Sequence, residues 1–327
     1  MTTDAAGTTV TGSKETGKKS ASDAVKTYRY LRIALVALLG GIAVAVVVEF
    51  LHNGATCLQG SISAYYYTPV RAFLVSALVG LGVGLVAIRG VGWWEETFLN
   101  LAGMLAPVVA FVPTPGTGNC TSDPALKAAG PDAVFNNMTA LFWMAPLGLL
   151  YVLLLRRLAR RQGKPTERPQ WGLLVPVGVL WAVALLLFAF QRDWFLEYGH
   201  GVAALLMFAF IVGVVALNGI SLGRKEIAEG RSSGWKAYAN RYTVIAVAMV
   251  VSFVVLYGYH RISGGWPHWV FAVEAALLAL FLLFWTLQTE ELWDEVVREG
   301  DPAAETARVD GRLVSPWGGA GSWRRGT

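Results

Sequence analysis

Charge is what this sequence has least of for its length. Of 327 residues only 15% are charged while 55% are hydrophobic; a soluble domain carries about a quarter charged. With a mean hydropathy of +0.49, this scarcity excludes an ordinary soluble domain and points to a polytopic membrane protein. Familiar chemical motifs are missing as well. Gly80, Gly82 and Gly84 are followed by no Lys-Ser or Lys-Thr pair, which excludes a nucleotide loop, and Ser76, Gly80 and Gly84 read instead as a small-residue packing face. There is no nucleophile elbow and no internal repeat. The net charge of +5 calls for no nucleic-acid partner, because basic loops at a bilayer surface account for it. Arg in excess of Lys, beside abundant Ala, Gly and Val, fits a high-GC bacterial genome.

What is present is a series of apolar runs. They recur at roughly 30–50, 69–88, 97–113, 138–155, 172–190, 201–220, 241–260 and 267–288, each close to the length that a hydrocarbon core requires. The expected fold is therefore an all-α integral membrane protein, a bundle of about eight transmembrane helices. Residues 1–26 lack any apolar period and are expected to be a disordered tail; no cleavage site marks them as a signal peptide. Residues 27–290 form the bundle and 291–327 a C-terminal tail. Pro107, Pro146 and Pro176 fall inside spans and are expected to kink them.

Basic residues set the orientation. All but four of the 27 Lys and Arg fall on the side of the two termini, leaving Arg71, Lys127, Arg192 and Arg261 on the other. That bias predicts both termini in the cytoplasm of a multi-pass cell-membrane protein. The two cysteines, Cys57 and Cys120, then both face the oxidising side, which predicts that they are bonded, the alternative being two free thiols.

The stretch from Cys57 to Arg71 is the most distinctive in the chain. Thr68 and Pro69 read as the start of a helix, with Arg71 in its first turn. Glu274 lies about two turns into the last span, where a lipid-facing charge is costly, so it should point inward and pair, Arg71 being the natural partner, or stay protonated. In the first span Ala37, Gly41, Ala45 and Glu49 recur every four residues, which predicts that Glu49 continues a small-residue stripe facing protein. Together Arg71, Glu274, Glu49 and His200, with Ser61, Ser63 and Tyr65, are expected to line an outward-facing polar vestibule.

The four histidines, His52, His200, His260 and His268, all fall at outer span ends. Glu49 to His52 and Glu197 to His200 read Glu-x-x-His, the spacing that puts carboxylate and imidazole on one helix face. The further carboxylates of a dinuclear centre are not evident, so no cofactor is expected, and a metal held by these histidines is the alternative.

Gly60-Ser-Ile-Ser-Ala-Tyr-Tyr-Tyr-Thr-Pro-Val-Arg71, Asn100-Leu-Ala-Gly103 with Pro113-Thr114, His200 opening a span, Lys236 to Tyr242, and Phe271-Ala-Val-Glu274 with Trp285 resemble a family of bacterial polytopic membrane proteins to which no activity is assigned. The chain is more distantly similar to membrane hydrolases that hold zinc with three histidines, an aspartate and a serine, but their paired histidines four apart on one span are missing. The expectation is a non-enzymatic protein of the lipid bilayer that binds or passes a small or lipidic ligand. A metal-dependent membrane hydrolase, or an assembly partner of another membrane protein, is the alternative.

Overall fold

The computed structural model describes residues 9–90, 92–114, 120, 130–163 and 171–293, together with 308–309 and 312–313. Residues 1–8, Lys127 and most of the expected C-terminal tail lie outside the described residues. Eight α-helices occur among those described: α1 (Thr9–His52), α2 (Arg71–Ala87), α3 (Trp93–Phe111), α4 (Gly130–Arg161), α5 (Trp171–Phe190), α6 (Arg192–Ala228), α7 (Arg241–Ile262) and α8 (Trp269–Glu291). They fall on the eight apolar runs of the sequence. The backbone of α1 reaches back to Thr9, into the stretch expected to be an unstructured tail. Two short 3₁₀ turns, Ser63–Tyr67 and Gly234–Tyr238, sit in connections, and Arg308–Val309 pairs antiparallel with Arg312–Leu313.

Five helices are long and apolar enough to cross a membrane: α1 from Val25, α4 from Pro131, α6, α7 and α8. The apolar parts of α2 and α5 are shorter. This is the architecture of a multi-pass helical membrane protein. One end of the bundle carries the Cys57–Cys120 disulfide and is called the disulfide end below. The opposite end carries Arg32, Glu95 and Glu291.

The centre of the bundle is α3, which packs against α2, α4, α5 and α6. Ala102, Ala106 and Ala110 repeat every four residues along it and are buried, so neighbouring backbones approach closely. The closest crossing is with α2. A Cβ on Gly82 would lie 2.6 Å from the Gly103 carbonyl oxygen, and one on Gly103 would lie 2.7 Å from that of Gly82, so neither position has room for a side chain. Pro107 packs at the same crossing, and Pro107, Pro146 and Pro176 all sit inside continuous helices.

The buried face of α1 is Leu35, Leu39, Ile42 and Val46, a stripe of large residues set against α2 and α8. This corrects the expectation drawn from Ala37, Gly41, Ala45 and Glu49. Ala37 is exposed and Glu49 only half-buried, and of that stripe Gly41 makes the close contact, beneath the Phe73 ring of α2.

Candidate functional site

At the disulfide end the connection between α1 and α2 is packed into the bundle rather than looped over it. Gln59, Ser61, Ala64, Tyr65, Tyr66, Tyr67 and Thr68 are all buried. A short 3₁₀ turn leaves its first amides without partners, and here α8 supplies an acceptor. The Glu274 carboxylate accepts from the Ile62 amide at 2.5 Å, from the Ser63 amide at 3.3 Å and from the Ser63 hydroxyl at 2.9 Å. Ser61 Oγ accepts from the Ala64 amide at 2.9 Å. The Phe271 amide donates to the Gly60 carbonyl at 2.9 Å, and the Tyr67 hydroxyl to the Thr114 carbonyl at 3.1 Å. The segment is thus fastened to the ends of both α8 and α3.

Arg71 does not pair with Glu274, contrary to the sequence expectation. A carboxylate beside unpaired amides is satisfied by them, and Glu274 reaches those of residues 62 and 63 instead. The Arg71 guanidinium donates to the Tyr66 hydroxyl at 2.7 Å and lies 4.3 Å from the centre of its ring. Burial pushes the Tyr66 phenol above its ordinary pKa, and Arg71 pulls it back by less. The phenol is therefore neutral and leaves the Arg71 charge uncompensated. Thr68 accepts an amide at the entry to α2, as expected: its hydroxyl accepts from the Val70 amide at 3.3 Å and also donates to the Tyr65 carbonyl at 2.7 Å. It closes the turn, and α2 starts at Arg71.

Beside Arg71 lies a cavity of about 690 Å³. Thr68, Arg71 and Asn137 supply polar groups to it, and Val75, Val79 and Phe111 an apolar wall. No carboxylate lines it among the described residues. Among the described residues Arg71 has no acidic partner and the Asn137 amide makes no hydrogen bond.

The other expected vestibule residues are not gathered here. His200 is buried within α6, its Nδ1 2.6 Å from the Val112 carbonyl, tying α6 to the end of α3. Glu49 accepts from the Asn53 side chain at 3.0 Å. Ser61, Ser63 and Tyr65 belong to the turn that Glu274 holds. The histidines are separately engaged as well: His260 Nδ1 is 3.0 Å from the Trp266 carbonyl, His268 Nδ1 is 3.4 Å from that of Gln59, and His52 is exposed. Among the described residues no group of three or more His, Cys, Asp or Glu side chains is placed to hold a metal ion.

Sequence reasoning missed a polar network at the opposite end. Asn218 of α6 donates to Glu95 of α3 at 2.7 Å, and Gln288 of α8 donates to the Asn218 carbonyl oxygen at 2.9 Å; all three are buried. Buried Arg32 of α1 donates to the Leu292 carbonyl at 3.0 Å, and Arg241 and Tyr242 of α7 both bond Glu291. The available signal was a polar residue inside each apolar run, Asn218 in Ala-Leu-Asn-Gly and Gln288 in Thr-Leu-Gln-Thr.

Comparison of the chain with protein families, curated proteins and solved structures gives no match. A functional reading therefore rests on the site itself.

Proposed function

We propose that this is a multi-pass protein of the cell membrane, with both termini cytoplasmic, that binds a small or lipidic ligand at its outer, disulfide end. The orientation rests on the bias of basic residues toward the side of the termini and on the disulfide at the opposite side. One observation carries the binding reading: a cation without an acidic partner among the described residues, on the wall of an open cavity of about 690 Å³. Arg71 opens α2 half-buried at the disulfide end, where the helix dipole disfavours a cation, and Tyr66 offers only a neutral oxygen and a ring face. A bound anion completes the site. Binding rather than metal-assisted hydrolysis is favoured because the four histidines stand apart, each in its own surroundings.

The test is native mass spectrometry of the full-length protein released gently from detergent. The expected result is a co-purified adduct on the wild type that is lost in Arg71→Gln and reduced in Asn137→Leu, with both variants eluting as folded protein. Adducts that persist unchanged in Arg71→Gln overturn the reading.

A further inference from the structure

The cavity beside Arg71 has a neighbour deeper in the bundle. A second cavity of about 410 Å³ is lined by α2, α3, α4 and α5, with an almost wholly apolar wall. The two share three helices, and helical spacing shows that they also share faces. On α2, Val75 and Val79 line the first and Val83 and Val86 the second, at intervals of three and four residues. On α3, Phe111 lines the first and Val108 and Met104 the second. On α4, Asn137 lines the first and Leu141 and Ala145 the second. Residues three or four apart lie on one side of a helix, so the cavities are successive stretches of a single gap between α2, α3 and α4. Val83 and Val86 are more than a third exposed, so the gap opens sideways, toward lipid in a membrane.

From Arg71 to Val86 the gap follows α2 for about 22 Å, at about 1.5 Å per residue. One leaflet of a bilayer has a hydrocarbon depth of about 15 Å, so a lipid chain lies within the gap along its whole length. Among the described residues that line the cavities, the polar groups other than the Trp181 indole stand toward the disulfide end, Arg71 is the single charged residue and none is a carboxylate.

We infer that the ligand is an amphipathic anion, its phosphate or carboxylate head on Arg71 and Asn137 and its apolar chain laid between α2, α3 and α4. The inference rests on the ligand-binding reading above and names the class of ligand. Apolar walls below the guanidinium select for a chain, since a small hydrated anion would leave them unfilled. The Arg71 cation selects for an acidic head, since a choline head would bring a second positive charge to it. Within a membrane the chain gains little from burial alone, because lipid tails are as apolar as the groove. Discrimination therefore falls on the head.

Three probes separate the sources of such an anion: palmitoyl lysophosphatidate, palmitoyl lysophosphatidylcholine and glycerol phosphate, each titrated against the full-length protein in lipid-free detergent. The lysophosphatidate is expected to bind about tenfold more tightly than either of the others, and Arg71→Gln to abolish the preference for its head. Val83→Trp, which obstructs the deeper cavity at an exposed position, should weaken the palmitoyl form about tenfold and leave octanoyl lysophosphatidate, whose chain ends higher, unchanged. Glycerol phosphate binding as tightly as the lysophosphatidate, the choline form matching it, or Val83→Trp weakening both chain lengths alike would each overturn the inference. So would failure of all three probes to bind. The broader reading falls separately, through adducts that survive Arg71→Gln.

Discussion

Glu274→Ala removes the acceptor of three donors at once: two backbone amides at the start of the Ser63–Tyr67 turn and the Ser63 hydroxyl. If each bond is worth only the ~0.6 kcal/mol averaged for side-chain bonds within a membrane protein, the loss is about 2 kcal/mol. The donors are part-buried, so leaving them unsatisfied adds only part of the about 1–3 kcal/mol that each fully buried group would cost, which sets the expectation at about 2–4 kcal/mol. Glu274→Gln keeps one carbonyl oxygen for the amides and turns an NH₂ group toward them, so it should fall between wild type and alanine. The assay is unfolding in mixed micelles, with hydrogen exchange read on the peptide spanning residues 58–70. Faster exchange should appear there first, because the turn loses its anchor while α1 and α2 keep their packing. A double-mutant cycle of Arg71→Met with Glu274→Leu should be additive to about 0.5 kcal/mol. A Glu274→Ala loss below that size, or strong coupling between Arg71 and Glu274, would refute this account and restore the ion pair expected from sequence.

Thiol labelling of the denatured, unreduced protein should find neither Cys57 nor Cys120 reactive, and reduction should destabilise the fold by up to about 4 kcal/mol, the chain-entropy value for a loop of this length. A cytoplasm-dependent reporter fused after Thr327 should give signal and one inserted near Asp123 should not; signal at Asp123 would invert the proposed orientation. At the opposite end, Asn218→Ala removes one buried hydrogen bond from each of Glu95 and Gln288 and is expected to cost about 1–3 kcal/mol, whereas exposed Val254→Ala in α7 should change stability little in the same unfolding assay.

Hydropathy made the helices legible because burying about 20 apolar residues per span is a requirement of the bilayer itself, and each of the eight runs became a helix. The disulfide followed from loop parity alone. Partner identity did not follow, because it depends on helix rotation, which a window average erases. Glu274 and Arg71 were each recognised as needing company, yet the sequence offers no sign that a backbone turn at Ile62 and Ser63 lies closer to the acid than the guanidinium does. The small-residue stripe ending at Glu49 misled for a related reason: small residues permit close contact without requiring it, and Leu35, Leu39, Ile42 and Val46 took the buried face. Asn218 and Gln288 were passed over because one amide barely changes the hydropathy of a long apolar run.

The bonds between Glu274 and the turn also impose an order on biosynthesis. Ile62 and its acceptor are 212 residues apart in the chain. At translation rates of about 5–20 residues per second, the last helix emerges some 10–40 seconds after the turn. Cys57 and Cys120 enclose α2 and α3 and can close that hairpin well before then. Until α8 is inserted the turn lacks its acceptor, whether or not the N-terminal segment is already covalently tied.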